Sequence, residues 1–226
     1  MRMLKLLGLL SVSFLLASCA SMPADEAEVA EKYQLQASEF IFSEGEKVNF
    51  KNTSLQFLDI VNDSRCPKGA QCVTEGEATL SFIYSTPTSA ESFSLTTSSN
   101  SVRQFGDVTI GLMSFDPLPS EDAKLDPEDF DARVIIYEEG ALDDVTIIDV
   151  RTDGEYNNSH YAGAVNLPVD VIAERIGELD LAKDETFIVY CRTGNRAGKA
   201  KQALEELGYT NVLNAVKEDS LDQLID

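Results

Sequence analysis

The stretch Phe187 to Leu207, FIVYCRTGNRAGKAKQALEEL, constrains this chain more than any other. Phe187 to Tyr190 is a short unbroken apolar run, the pattern of a strand buried on both faces of a parallel sheet. From Arg196 onward, Ala197, Ala200, Leu204 and Leu207 recur at helical spacing, and Gly208 is suited to ending the helix. Cys191 therefore stands between the carboxyl end of a strand and the amino end of a helix. Open α/β sheets place ligands at such junctions, where unpaired N–H groups and the helix dipole stabilise negative charge. A thiol held there is expected to ionise more readily than its usual pKa of about 8.5 allows.

The intervening residues are Arg192, Thr193, Gly194, Asn195 and Arg196. Two guanidinium groups and a run of amides around one sulfur make a concave anion receptor, with Gly194 letting the backbone curl. A buried structural cysteine ahead of a basic helix start is the competing reading. Apolar burial does not call for Arg, Gly and Arg within five residues of a cysteine. The receptor reading requires the sulfur to be open to solvent and the loop amides to be aimed at it.

Around this loop the sequence alternates strand and helix signals, which predicts a parallel sheet covered on both faces. Strands are expected at Arg133 to Tyr137, Val145 to Val150, Ala164 to Leu167 and Asn211 to Asn214, with an acidic helix at the end. Thr152 and Glu155 have capping-box spacing, so a short helix should follow. Ile172, Ile176 and Leu179 mark another helical face.

The segment 147–168, IIDVRTDGEYNNSHYAGAVNLP, resembles the first signature of the rhodanese family at Asp149, Val150, Arg151, Glu155, Tyr156, His160, Gly163, Ala164, Asn166 and Pro168. The Cys191 to Arg196 loop and LGYTNVLNA at 207–215 extend the resemblance over about residues 133–226, with small single-domain periplasmic rhodaneses of the phage-shock type the nearest in kind. It implies an α/β domain with helices on both faces of a parallel sheet and a sulfane sulfur carried as a persulfide on Cys191. By the same resemblance, the loop from Arg192 to Arg196 should hold a small anionic donor such as thiosulfate. Arg196, at the helix start, is the stronger candidate. A thiol or cyanide would accept the sulfur, and neither metal nor organic cofactor is required. Asp149 and Arg151 are expected to give structural support. Tyr156 should pack, and His160, although its pKa near 6.5 invites acid/base work, should be structural. The chain departs from the family at Val216, Lys217 and Glu218, where a Gly pair is common.

Three rival readings use the same residues. A dual-specificity phosphatase on the related fold has five residues between Cys and Arg, whereas Cys191 and Arg196 enclose four. A non-catalytic binding module would use the fold only as a docking surface. A thiol-redox relay would pass oxidation or sulfur from Cys191 to a partner.

The N-terminal half carries different signals. Arg2 and Lys5, an apolar run from Leu6 to Leu16, and Leu16-Ala17-Ser18-Cys19 resemble a bacterial lipoprotein signal, residues 1–18, with Cys19 lipidated. This implies anchoring by several acyl chains, which is stable where one chain is marginal. The expected location is the cell envelope facing the periplasm, with the outer membrane favoured over the inner because Ala20 and Ser21 lack a retaining Asp. Residues 19–37 read as a polar tether.

Residues 38–118 show period-two alternation, as at Ala78, Leu80, Phe82 and Tyr84, and predict an all-β sandwich-like domain. Cys66 and Cys72 lie in a turn-rich loop there, where an oxidising compartment favours a disulfide. Zinc is the alternative, but the only histidine, His160, lies in the other domain. The loop is also similar to one in small β-rich bacterial lipoproteins of undefined activity. Residues 119–131, acidic with prolines, read as a linker, with the rhodanese-like domain occupying 132–226. With 18 basic against 39 acidic residues, net −21, the chain should repel nucleic acid, so an anionic substrate needs a local positive site.

Overall fold

The structure, a computed structural model, describes residues 37–98, 101–120 and 125–225. The expected leader, the expected lipidation site Cys19 and the expected tether up to Gln36 lie outside the described residues.

The N-terminal part is a sandwich of two four-stranded antiparallel sheets. One has the order β2 (Lys47–Phe50), β3 (Thr53–Asp63), β4 (Ala78–Ser85), β5 (Ala90–Thr96). The other has the order β1 (Ala37–Phe42), β8 (Asp131–Glu138), β7 (Val108–Asp116), β6 (Val102–Phe105). Alternation decides which side chains go inside: Ala78, Leu80, Phe82 and Tyr84 on β4 are all buried. They meet Phe57, Leu95, Ile110, Val134 and Ile136 in one core, with the Phe57 and Phe82 rings stacked 5.2 Å apart. Cys66 and Cys72 form the expected disulfide.

The boundary expected at residue 132 is wrong. Strand β8 lies between β1 and β7, pairing Phe40 with Val134 and Ile110 with Ile136. The apolar run Arg133 to Tyr137 therefore completes the sandwich rather than opening the α/β part. The acidic segment 119–131 is not an interdomain linker but the connection between two antiparallel neighbours, with Asp116 opposite Asp131. The misreading has a physical cause. Val134 and Ile136 face the sandwich core while Ile135 and Tyr137 face a second core, so β8 is buried on both sides and reads like a parallel-sheet strand.

That second core joins the two halves. The C-terminal part is a parallel sheet with the order β10 (Val165–Asn166), β9 (Thr146–Asp149), β11 (Thr186–Cys191), β12 (Asn211–Lys217). On one face lie α2 (Ile172–Arg175) and α3 (Asn195–Glu206), burying Ile172, Ala197, Ala200 and Leu204 against Phe187 and Val189. On the other face Ile188, Tyr190, Leu213 and Ala215 meet Ala37, Met113, Ile135 and Tyr137 of the sandwich and Leu221 and Leu224 of α4 (Glu218–Ile225). Helices thus stand on both faces as expected, but one of those faces is shared with an antiparallel sheet. Gly111 marks the close approach: a Cβ there would come within 2.9 Å of Leu224 Cδ2.

Candidate active site

Strand β11 runs between β9 and β12 and ends at Cys191, so its residues are enclosed by pairing on both edges. The chain turns through Gly194 at φ 80°, which caps α3 without a side-chain hydrogen bond. No β-carbon fits comfortably there, since one would lie 3.1 Å from Val216 Cγ1 in a backbone region that L-residues avoid. The first turn of α3 leaves the amides of Asn195, Arg196 and Ala197 without intrahelical carbonyls, directly after the cysteine. Strand, curl and helix start are as the sequence predicts.

Two features differ from expectation. Cys191 is a free thiol, but only 2% of the residue is exposed, so its sulfur is sheltered within the core that also holds Val150 and Ala197 rather than open. The Gly194 amide donates to the Val216 carbonyl at 3.1 Å and is not aimed at the sulfur.

The two arginines of the loop are engaged differently. Both terminal nitrogens of Arg196 donate to the Glu155 carboxylate, at 2.5 and 2.8 Å. This bidentate pair and the Thr152 hydroxyl hold the Glu155 carboxyl below the usual carboxylate range. Arg196 is pushed above the ordinary guanidinium value, chiefly by its hydrogen bonds to Glu155 and to a smaller extent by Cys191. Its charge is therefore partly neutralised before any donor arrives. Arg192, by contrast, is exposed and has no ion pair among the described residues, as Thr193 and Asn195 are exposed beside it.

Glu155 comes from α1 (Asp153–Asn158), which the predicted capping box starts: Thr152 Oγ1 accepts from the Glu155 amide and the Glu155 carboxylate accepts from the Thr152 amide. A single acid thus caps one helix and pairs with the cation at the head of another. The sequence marks it as a cap and as a signature position, with no pairing to Arg196.

Asp149 and Arg151 give structural support. Asp149 is fully buried and accepts from the Arg151 amide, Nε and Nη2 and from the Tyr190 hydroxyl. Arg151 Nη2 also donates to the Ser159 carbonyl, tying the end of α1 to the sheet. Burial and the neighbouring Asp149 raise the Tyr190 phenol above its ordinary value, although the Tyr161 amide opposes the shift. Tyr156 donates to the Ala164 carbonyl at 2.7 Å. His160 stacks on Tyr156 at 3.8 Å and its Nδ1 donates to the Tyr156 carbonyl, so its ring is engaged in holding the turn.

The wall beside the last strand is built by two residues to which sequence reasoning gave no role. Asn214, 1% exposed, accepts the Val216 amide on Oδ1 at 2.9 Å and donates Nδ2 to the Gly194 carbonyl at 3.3 Å. Val216 adopts φ 67°, where a β-branched residue is strained by about 1–3 kcal/mol. Here the pairing of β11 with β12 shifts register between Val189 and Cys191. Val216 falls on the departure from the family's Gly pair, the one signal that could have found it, whereas Asn214 lies inside the stretch 207–215 that follows the family. Among the described residues no group of His, Cys, Asp or Glu could hold a metal.

Residues 137–216 match the rhodanese-like domain family. The chain is 44% identical over 68 residues to thiosulfate sulfurtransferase PspE of Escherichia coli, covering 30% of this chain and 65% of that protein. A sulfurtransferase of Allochromatium vinosum is 36% identical over 72 residues, covering 32% and 65%. A solved structure described as a rhodanese with anions from E. coli is 40% identical, covers 33% of this chain and 88% of its own, and superposes with a TM-score of 0.32. The chain spans a little under two thirds of the length of those two relatives. Residues 137–216 of this chain are a rhodanese-like domain.

Proposed function

We propose that the protein is a lipid-anchored sulfurtransferase that carries a sulfane sulfur on Cys191. The observation behind this reading is the free thiol at the end of β11, separated by only three residues from the first turn of α3, which carries Arg196. The Cys191 thiolate attacks the outer sulfur of thiosulfate, the S–S bond breaks, and sulfite departs with the bonding pair. The persulfide is held by amides at the head of α3. Cyanide or a thiol then attacks its terminal sulfur, and the thiolate returns to Cys191. Arg192 draws in the anionic donor, and the shelter around Cys191 favours a donor that presents one sulfur atom end-on.

Envelope location draws on Leu16-Ala17-Ser18-Cys19 and is consistent with the Cys66–Cys72 disulfide, which belongs in an oxidising compartment. Lipidation at Cys19, with the outer membrane as the destination, predicts that Cys19→Ala moves the protein from the membrane pellet to the soluble fraction.

Burial of Cys191 and the turning of the Gly194 amide toward Val216 both run against what the receptor reading requires, and they favour a second reading, a binding module without turnover. Incubating the full chain with thiosulfate and cyanide separates the two. Thiocyanate formation that disappears in Cys191→Ala supports transfer, whereas none from the native chain supports the module.

A further inference from the structure

We propose that Glu39, on the first strand of the sandwich, is a positioning residue for the Cys191 loop. Its side chain is 3% exposed although ionisable, and three donors converge on it. Arg133 Nη1 reaches Oε1, while Lys201 Nζ at 2.9 Å and the Asn214 backbone amide at 2.7 Å reach Oε2. Two cations from two different elements offset the cost of burying the carboxylate.

The Asn214 contact is the informative one. Strand β12 is the edge of the parallel sheet, so its outward amides have no strand to pair with. Glu39 supplies the missing acceptor where the strand leaves its register. From Asn214 the path to the cysteine is short. The Asn214 side chain grips the Val216 amide and the Gly194 carbonyl, and the Val216 carbonyl receives the Gly194 amide. Val216 does not hold φ 67° by its own preference. The clamp imposes that conformation, and the clamp is anchored to the sandwich through Glu39. This gives the sandwich a task that its own sequence does not announce, which is to fix the curl after Cys191. The proposal rests on the sulfurtransferase reading only for its catalytic readout.

The full chain is compared with Glu39→Asp, which withdraws the carboxylate by one methylene, and with Glu39→Ala. A positioning role predicts that the Gly194 and Val216 amides exchange about tenfold or more faster, while Phe187 to Val189 keep their protection. It also predicts an altered rate of Cys191 alkylation by iodoacetamide, and a fall of about ten- to a hundredfold in kcat/KM for thiosulfate, at a temperature where the variants are folded. Unchanged exchange at Gly194, or an equal loss of protection across β11 and the loop, overturns the proposal. If Glu39→Ala does not fold, Glu39→Asp decides. Exchange and alkylation need no sulfur donor. A native chain that takes up no sulfur therefore counts against the proposed function and leaves this test standing.

Discussion

Asp149 has no exposed surface, and its carboxylate meets the Arg151 guanidinium and the Tyr190 hydroxyl. Removing Asp149 leaves the largely buried Arg151 guanidinium with only the more distant Glu218 carboxylate, 3.9 Å away, to offset its charge. Asp149→Asn should therefore cost about 3 kcal/mol of stability, measured by urea unfolding, and a loss below about 1 kcal/mol would contradict the structural role. Arg192 behaves differently, because it is exposed and has no ion pair among the described residues. Its replacement by Ala should leave the melting temperature in place and raise KM for thiosulfate by about tenfold with a smaller change in kcat. Equal loss in the Arg196→Ala variant through KM alone would mean that Glu155 does not hold Arg196 as the geometry implies.

Helices α1 and α3 are joined by the Glu155–Arg196 pair, and this coupling makes the acid limb of stability predictable. The folded-state pKa of Glu155 lies below its unfolded value of about 4.3, so the pair's contribution is fully present above that pH and fades as pH falls through the folded value. Both side chains are about one third exposed, which keeps the effect modest. Thermal melts from pH 6 down to about pH 3 should show Glu155→Gln losing less on acidification than the native chain. Parallel curves would contradict the coupling. How far these elements could be read beforehand follows from range. The alternation of β4, the Ala197, Ala200 and Leu204 face of α3 and the Thr152 cap depend on neighbours in sequence, and all three are found as predicted. The Arg196 pairing spans 41 residues and the Glu39 contact with Asn214 spans 175, and no local pattern encodes either. Strand β8 reads as part of the α/β half for a related reason, because a strand buried by two different cores shows no alternation.

At the scale of the molecule, the sandwich and the parallel sheet share a face, so the described residues form four stacked layers: two antiparallel sheets, a parallel sheet and helices. A fragment of residues 139–226 lacks β1, β7 and β8 and uncovers Ile188, Tyr190, Leu213 and Ala215. Such a contiguous apolar face should make the fragment bind hydrophobic dye and self-associate. A monomeric fragment that melts like the full chain would show that the sandwich is dispensable to the α/β part. The account itself depends on one atom, the Cys191 sulfur. Intact mass spectrometry of the chain from Ala20 onward, before and after thiosulfate, reads its chemistry directly. The account predicts a gain of one sulfur, mapped to Cys191 and removed by cyanide, while Cys66 and Cys72 stay joined. No gain, or a gain on any other residue, would contradict it.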